Sequence, residues 1–291
     1  MSKVFKQEID TKEQRSGGPL LMTMLFKEPV DLPEIQRITE VCRKHIGNVE
    51  CRQDDDKSAF IFALDHIAKF QDGEAPVQLL LTSCANFDGK TVDDFTRSQM
   101  WDCQESRDRI LEECRYSMLA TDFLAGGLPS LERANLEMDF LAALAELFPS
   151  CEAFFFNISG KLFEADEIRN NQIEGPDRFI RYAVNVRFFT IQGTNDMMVD
   201  TLGMGTLCIP DLQYHFHDLN PNRIVNHAYN VASYLLSSGN EINSGETVDG
   251  IKDGQMDSSI QWKCQYENAL IQPNRLVLDI DMEEYASGKR K

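Results

Sequence analysis

The chain has 291 residues, 42% of them hydrophobic, and 47 Asp and Glu against 29 Lys and Arg give a formal net charge of -18. A chain of this length and apolar content can bury a sizeable core as one large domain or two smaller ones, which excludes a disordered protein. Its average field repels phosphate backbones and anionic lipid heads within the screening length, which argues against nucleic acid and membrane surfaces as partners.

Residues 1–18 are polar, mixed in charge and end on Ser-Gly-Gly, and read as a flexible N-terminal tail. From Pro19 the apolar run "LLMTMLF" has strand length, and a helix follows with Asp31 and Glu34 as its capping box and Ile35, Ile38, Val41, Cys42 and His45 at helical spacing. Gly47-Asn48 ends it. "NVECRQ" and "SAFIFAL" read as strands joined across the acidic turn Asp54-Asp55-Asp56, with "PVQLLLTSC" as a third. The spacing of Phe95, Trp101, Ile110, Leu111 and Cys114 predicts one long polar helix over 93–115. "SMLATDFL" is then a strand, and "LERANLEMDFLAALAELF" the strongest helix, with Leu136, Phe140, Leu144 and Leu147 on its core face. After Pro149 come a buried strand, "CEAFFFNI", and a short acidic helix, "FEADEIRNN".

The break from Gly175 to Arg178 is the best domain boundary, giving an N-terminal subdomain at 19–175, a C-terminal one at 176–285, and a basic tail at 286–291. Beyond it "YAVNVRFFTIQ" and "DMMVDTL" read as strands hinged at Gly193. Asn220 and Pro221 open a helix whose stripe is Ile224, Val225, Ala228, Val231, Ala232, Leu235 and Leu236, with Gly239 as its stop. Two more strands, near 259–266 and 275–281, complete the chain. Strands outnumber helices and many turns are short, so the expectation is α+β: largely antiparallel sheets with packed helices, in two closely associated subdomains.

"GGPLLMTMLF" is too short for a signal peptide, and nothing approaches the roughly eighteen apolar residues of a membrane helix, so the chain is expected to be cytoplasmic. Its eight cysteines (Cys42, Cys51, Cys84, Cys103, Cys114, Cys151, Cys208 and Cys264) lack any C-x-x-C pair and read as reduced, mostly buried thiols, with one redox-active or nucleophilic thiol as the alternative.

The densest polar segment is "IPDLQYHFHDLNPNRIVNHAYN", which holds three of the five histidines. On an extended strand His215 and His217 project to one face and could clamp an ion or a phosphate. His227 lies in the following helix, and Asp211 or Asp218 could add oxygen donors. The structural reading is that Tyr214 and Phe216 face the core while Asp218 or Asn220 caps the helix. Asp196, Asp200 and Asp211 form a second set, with Gly203 and Gly205 marking a turn whose amides could face an anion; the glycines equally let two elements pack closely. Cys103 sits near Arg97, Arg107 and Arg109, a setting that lowers a thiol pKa, although a charged helix face with pairs such as Glu105 and Arg109 accounts for it as well. Ser159 and Lys161 in "NISGKLF" lack the G-x-S-x-G elbow and read as a plain turn.

The strand "VRFF", then "QGTND", "VDTLGMGTL", "IPDLQYHFHDLNP" with its helix, and "GETVDGI" together resemble the bacterial domain-of-unknown-function family 4261 over residues 187–251. Upstream, "DFLAGGLPSLERANLEMDFLAALAELFPSCEAFFFNISGKLF" and "MLFKEPVDLPE" are similar to segments that precede that domain in longer members, so the resemblance implies one family architecture from about Leu20 onward. It implies no activity, substrate or catalytic residue, and its associations point to an immunity-like setting by analogy.

Three functions are therefore expected in contention. The first is a non-enzymatic acidic protein that binds a protein partner, in particular a basic one, with Asp200, Asp211, Tyr214, His215, His217 and Asp218 as binding residues and no cofactor. The second is a metal-assisted hydrolase or transferase in which His215, His217 and Asp211 hold a divalent metal such as Zn and His227 is the base. The third is a small-molecule-binding module. The oligomeric state is open.

Overall fold

The computed structural model of the chain describes residues 18–54, 58–170, 173–239 and 241–288. The N-terminal tail apart from Gly18, the acidic-turn residues Asp55 and Asp56, Asn171 of the acidic helix segment, and Lys289, Arg290 and Lys291 of the basic end lie outside the described residues. The described chain divides into two compact units, Gly18–Ala183 and 184–288. The division falls after the helix Asp177–Tyr182 rather than at 175/176, because Arg178 Nη2 of that helix pairs with Asp139 Oδ1 at 2.9 Å and so holds it in the first unit.

The first unit begins β1 (Leu21–Phe26), α1 (Ile35–Ile46), β2 (Val49–Asp54), β3 (Ser58–Phe70), β4 (Gly73–Thr82) and β5 (Ala85–Asn86). It continues with α2 (Asp94–Ser98), α3 (Arg107–Glu113), β6 (Tyr116–Phe123), α4 (Ser130–Leu147), β7 (Ala153–Phe156), β8 (Lys161–Glu164), α5 (Ala165–Arg169) and α6 (Asp177–Tyr182). Its sheet runs β2-β3-β4-β6-β1-β7-β8, with β5 also on β6, and every described pairing in it is antiparallel. The central strand β1 is buried on both faces, which is why "LLMTMLF" reads as an unbroken apolar run rather than an alternation. On one face the Phe26 ring meets Phe148, at the end of α4, edge-on at 5.9 Å. On the other, Leu25, Ala153 and Leu162 pack against Met100, Cys103, Ile110 and Leu111.

The helix expected over 93–115 is broken into α2, a single turn at Trp101–Cys103, and α3. Met100 and Cys103 share the core of Ile110 and Leu111 across these breaks. Side chains satisfy the interrupted backbone: Asp93 accepts from the Thr96 amide at 2.8 Å, Arg97 donates to the Val92 and Gly89 carbonyls, and Arg107 to the Arg97 carbonyl. Around α1 the expected capping box is likewise not formed: Glu34 holds the N-cap position but no side chain caps there.

The second unit comprises β9 (Asn185–Thr190), β10 (Met197–Leu202), β11 (Asp211–Phe216), α7 (Pro221–Ser238), β12 (Thr247–Lys252), β13 (Gln255–Asn268) and β14 (Leu276–Asp281). Its sheet order is β12-β13-β14-β11-β10-β9, antiparallel except where β11 and β14 run side by side in parallel. The alternation along β11 decides its two faces. Leu212, Tyr214 and Phe216 turn to the side of α7, and Asp211, Gln213 and His215 to the other. Helix α7 starts as its sequence dictates, with the Asn220 side chain accepting from the Asn222 amide at 2.9 Å and Pro221 at the first turn, and it ends at Gly239 in a left-handed conformation. The architecture is α+β. No described helix is long and apolar enough to cross a membrane.

Candidate functional site

The three histidines of the densest segment go to three different places. His227, on the inner face of α7, is 1% exposed and has both ring nitrogens engaged: Nδ1 is 3.0 Å from Tyr214 Oη and Nε2 is 2.7 Å from the Asp249 carbonyl. Burial lowers its pKa, against the opposing pull of the Asp249 carbonyl, so the ring is held neutral as a packing and hydrogen-bonding group. Its ring also lies 4.9 Å from Trp262, joining α7 to β13. His215 faces the opposite side of the sheet, with Nε2 3.6 Å from Asp196 Oδ2 and its ring beneath Gly288. His217 lies one residue past the end of β11, where its Nδ1 is 2.9 Å from Asp218 Oδ2 and its amide donates to the Tyr285 carbonyl.

Asp211 is on the same face as His215, yet its oxygens are committed elsewhere. Oδ1 accepts from the Thr201 hydroxyl and the Met204 amide, both at 3.1 Å, and Oδ2 from Arg275 Nε at 2.9 Å. Burial pushes its pKa up, while Arg275 and the Met204 amide pull it down. His215, His217 and Asp211 therefore do not converge as ligands of one ion. Among the described residues no group of three or more His, Cys, Asp or Glu side chains is arranged to hold a metal. The glycine turn at 203–205 does present an amide to an anion, and that anion is Asp211 of the same chain.

Asp200, fully buried, is the centre of this face. Arg187 clasps it with Nε to Oδ1 at 2.8 Å and Nη2 to Oδ2 at 2.5 Å, and Arg275 Nη2 reaches Oδ2 at 2.8 Å. The same two arginines hold the loop between β13 and β14: Arg187 donates to the Gln272 carbonyl, and Arg275 to those of Ile271 and Pro273. Gln213 completes the row, donating to Asp279 Oδ2 at 2.7 Å and accepting from the Leu270 amide. Both carboxylates are paired to guanidinium groups, and Asp200 and Asp211 each accept three hydrogen bonds from within the unit, beside the parallel pair β11 and β14.

The sequence signal ends at a groove instead. Asp218, Leu219, Asn220, Arg223 and Ile224 at the start of α7 line a cavity of about 510 Å³ together with Ile251, Lys252 and Asp253 of β12 and its turn, Ile260 and Trp262 of β13, and Met282 to Tyr285. Asp218 turns the chain into it from a left-handed conformation, φ 56°. The floor is apolar (Ile224, Ile251, Ile260, Trp262). The rim carries four carboxylates, Asp218, Asp253, Glu283 and Glu284, against the two cations Arg223 and Lys252. The β12–β13 hairpin that forms one wall closes through Asp253 and Gly254, both at positive φ (52° and 87°), as a two-residue turn that twists with its strands requires. "KDGQ" is a strong hairpin signal, and it could have placed these strands and hence the groove from sequence.

Gly250 of the "GETVDGI" stretch explains how the floor closes. A Cβ there would collide with Ile260 Cγ2 and come within 2.9 Å of the Trp262 ring. Gly250→Ala should therefore destabilise the unit by about 1–3 kcal/mol through overpacking. It should also shift Trp262 emission in a Trp101→Phe background; an unchanged spectrum and denaturation midpoint would show that Trp262 does not seat on Gly250.

In the first unit the structure places two polar clusters that the sequence did not announce. Lys161, 1% exposed, donates to the Arg181 carbonyl at 2.6 Å and lies 3.4 Å from Asp102, which also accepts from Arg181 at 2.6 Å. Burial draws its pKa down to about 8, with Asp102 opposing. Its neighbour Cys103 is a buried thiol pushed up to about 12, by burial first and by Asp102 next, so the arginines nearby do not activate it. Ser159 bonds the Phe156 carbonyl at 3.4 Å, within its turn. The second cluster joins Asp122, Arg133 and Glu137, all buried, with Arg133 Nη2 3.0 Å from Asp122 Oδ2 and Nε 3.4 Å from Glu137 Oε1.

No curated protein and no solved structure matches the chain. Residues 200–281, which run from the buried Asp200 through α7 and the groove hairpin to the end of β14, match the family model described as Domain of unknown function (DUF4261).

Proposed function

We propose that the protein is a non-catalytic binding protein whose groove at the start of α7 receives a segment of a basic protein partner, one apolar side chain entering between flanking lysines or arginines. The observation that carries this reading is the combination of an apolar floor ending on Trp262 with a rim of Asp218, Asp253, Glu283 and Glu284. A buried aromatic floor supplies affinity, and surrounding charge supplies orientation and on-rate. The net charge of -18 acts in the same direction at long range. The commitments of His227, Asp200 and Asp211 to internal partners support a binding role over metal-assisted hydrolysis, since each would have to break buried hydrogen bonds to serve as ligand or base. An immunity-like role, neutralising a basic surface, is one form of the same reading. A small organic molecule is the second reading, favoured by the volume of about 510 Å³, which lies in the range of ligand pockets.

The chain has two tryptophans, and only Trp262 lines the groove. A Trp101→Phe variant titrated with a synthetic peptide carrying one Phe between Lys and Arg runs should give a saturable change in Trp262 emission. The affinity should fall at least about fivefold between roughly 0.05 and 0.5 M salt. No saturable change with such peptides at low salt would overturn the basic-partner reading, and saturation by a neutral aromatic compound with no salt dependence would favour the small-molecule one.

A further inference from the structure

The two faces of the first unit's sheet are covered unequally. One buries Met22, Met24 and Phe26 of β1 with Ile61, Leu79 and Met118 of its neighbours. The other is sealed at β1, β7 and β8, where Leu25, Ala153 and Leu162 pack against Met100, Ile110 and Leu111. Leu21, on the same side of β1 as Leu25, stands opposite Thr121 of β6, and from there this face continues across β4 and β3. Leu80 lies between Thr121 and Phe60, Gln78 between Phe123 and Phe62, and Pro76 beside Ile67. Here the apolar side chains stay open to solvent: Leu80, Phe60, Phe62, Pro76 and Ile67 are half-buried, and Phe123 is 44% exposed.

We propose that this open strip is a docking surface for an amphipathic helix of a partner protein, apolar on the side that meets the strip and basic on the other. Its footprint is that of one helix. Along β4 the strip runs from Thr82, whose hydroxyl accepts from the Leu119 amide at 3.0 Å, to Pro76. That length of antiparallel strand spans about 20 Å, which matches about thirteen helical residues. From β3 across β4 to β6, two strand spacings make about 10 Å, close to one helix diameter. The sealed half of the same face already takes helical residues, Ile110 and Leu111 of α3. The border of the strip is mixed in sign, with Glu74 opposite Lys69 at one end and Arg52 Cζ 5.3 Å from the centre of the Phe62 ring. The long-range field therefore decides between occupants: two copies of this chain, each at -18, repel, whereas a helix with a basic outer face is drawn in.

The probe is a capped synthetic peptide of about fourteen residues with Leu at helical i, i+3, i+4 and i+7 spacing and Lys and Gln elsewhere; a scrambled peptide of the same composition is its control. Added to the whole chain, the first should bind saturably and gain at least about twofold in helical circular dichroism, since so short a helix is marginal alone. The scrambled peptide should bind at least about fivefold more weakly, and Phe123→Lys, at an exposed position, should cost the helical peptide at least about fivefold. Glu283→Lys with Glu284→Lys, on the groove of the second unit, should leave its affinity within about twofold. A benzophenone at the centre of the Leu stripe should cross-link to Ser58–Phe70, Gly73–Thr82 or Tyr116–Phe123 in the unaltered chain, a result that needs no variant to fold. Absence of saturable binding, equal binding of the scrambled peptide, cross-links outside these strands, or a loss of affinity in the groove variant instead of Phe123→Lys overturns the proposal. Sedimentation showing a dimer that Phe123→Lys dissociates also overturns it, in favour of a second copy as the occupant.

Discussion

Asp200→Ala should lower the unfolding free energy of the second unit by about 3–5 kcal/mol, because it strips the shared carboxylate from two guanidinium groups in a buried setting. Arg187 has its Nε and Nη2 on Asp200, and Arg275 divides itself between Asp200 and Asp211. Losing Asp200 leaves two cations against Asp211 alone and frees the carbonyls of the β13–β14 loop from properly placed donors. Denaturant unfolding followed by Trp262 fluorescence in a Trp101→Phe background reads this unit. A loss below about 1 kcal/mol would mean that the cluster is solvated rather than sealed. Because the same cluster sets β14 beside β11, the variant should also loosen Met282 to Tyr285, the wall of the groove that follows β14.

Arg133→Met should cost the first unit a comparable amount, about 3–5 kcal/mol, since it leaves Asp122 buried without its cation. Glu137 behaves differently. Burial raises its pKa well above the ordinary 4.5, with the neighbouring Asp122 charge adding to the shift and Arg133 opposing it. Its proton is therefore held more tightly in the fold than in the unfolded chain, and Glu137→Gln should change stability at pH 7 far less than Arg133→Met does. The pH dependence has a definite sign. Above pH 4.5 the unfolded chain releases the Glu137 proton while the folded chain keeps it, so stability falls as pH rises from 4.5 toward the raised folded value. Glu137→Gln should remove that downward component from denaturation curves between pH 4.5 and 7. An unchanged slope would show that Glu137 is ionised in the fold.

These two ionic clusters mark where the sequence stops being legible. Helix α7 could be placed from residues 220 to 239 because its signals are local: an N-cap asparagine, a proline at the first turn, a 3.6-residue apolar stripe and a terminal glycine. The α+β class followed from strand-length runs and short turns. The pairing of Asp200 with Arg187 and Arg275 joins residues 13 and 75 positions apart and has no local signature. The same holds for Asp122 and Arg133, brought together across a turn and a helix start. The segment 93–115 misled for a related reason. Its apolar spacing suits one helix face, but the chain breaks between α2 and α3, where arginine side chains from other positions satisfy the interrupted backbone carbonyls. The histidine pair looked like a ligand set because strand alternation puts His215 and His217 on one face. Where the strand ends was decisive and not readable: His217 falls one residue beyond β11 and turns to Asp218. The hairpin at Asp253-Gly254 was readable, and with it the groove wall.

The proposed binding role requires that the groove rim, and not the average negative charge, select the basic partner. Two double reversals of equal charge separate these: Glu283→Lys with Glu284→Lys on the rim, and Glu40→Lys with Glu50→Lys on exposed sites of the first unit. Measured by isothermal titration with the Phe-bearing basic peptide, the rim pair should lose at least about tenfold in affinity, while the first-unit pair stays within about twofold of the parent. Equal losses in the two variants, or an undiminished affinity in the rim variant, would contradict the account.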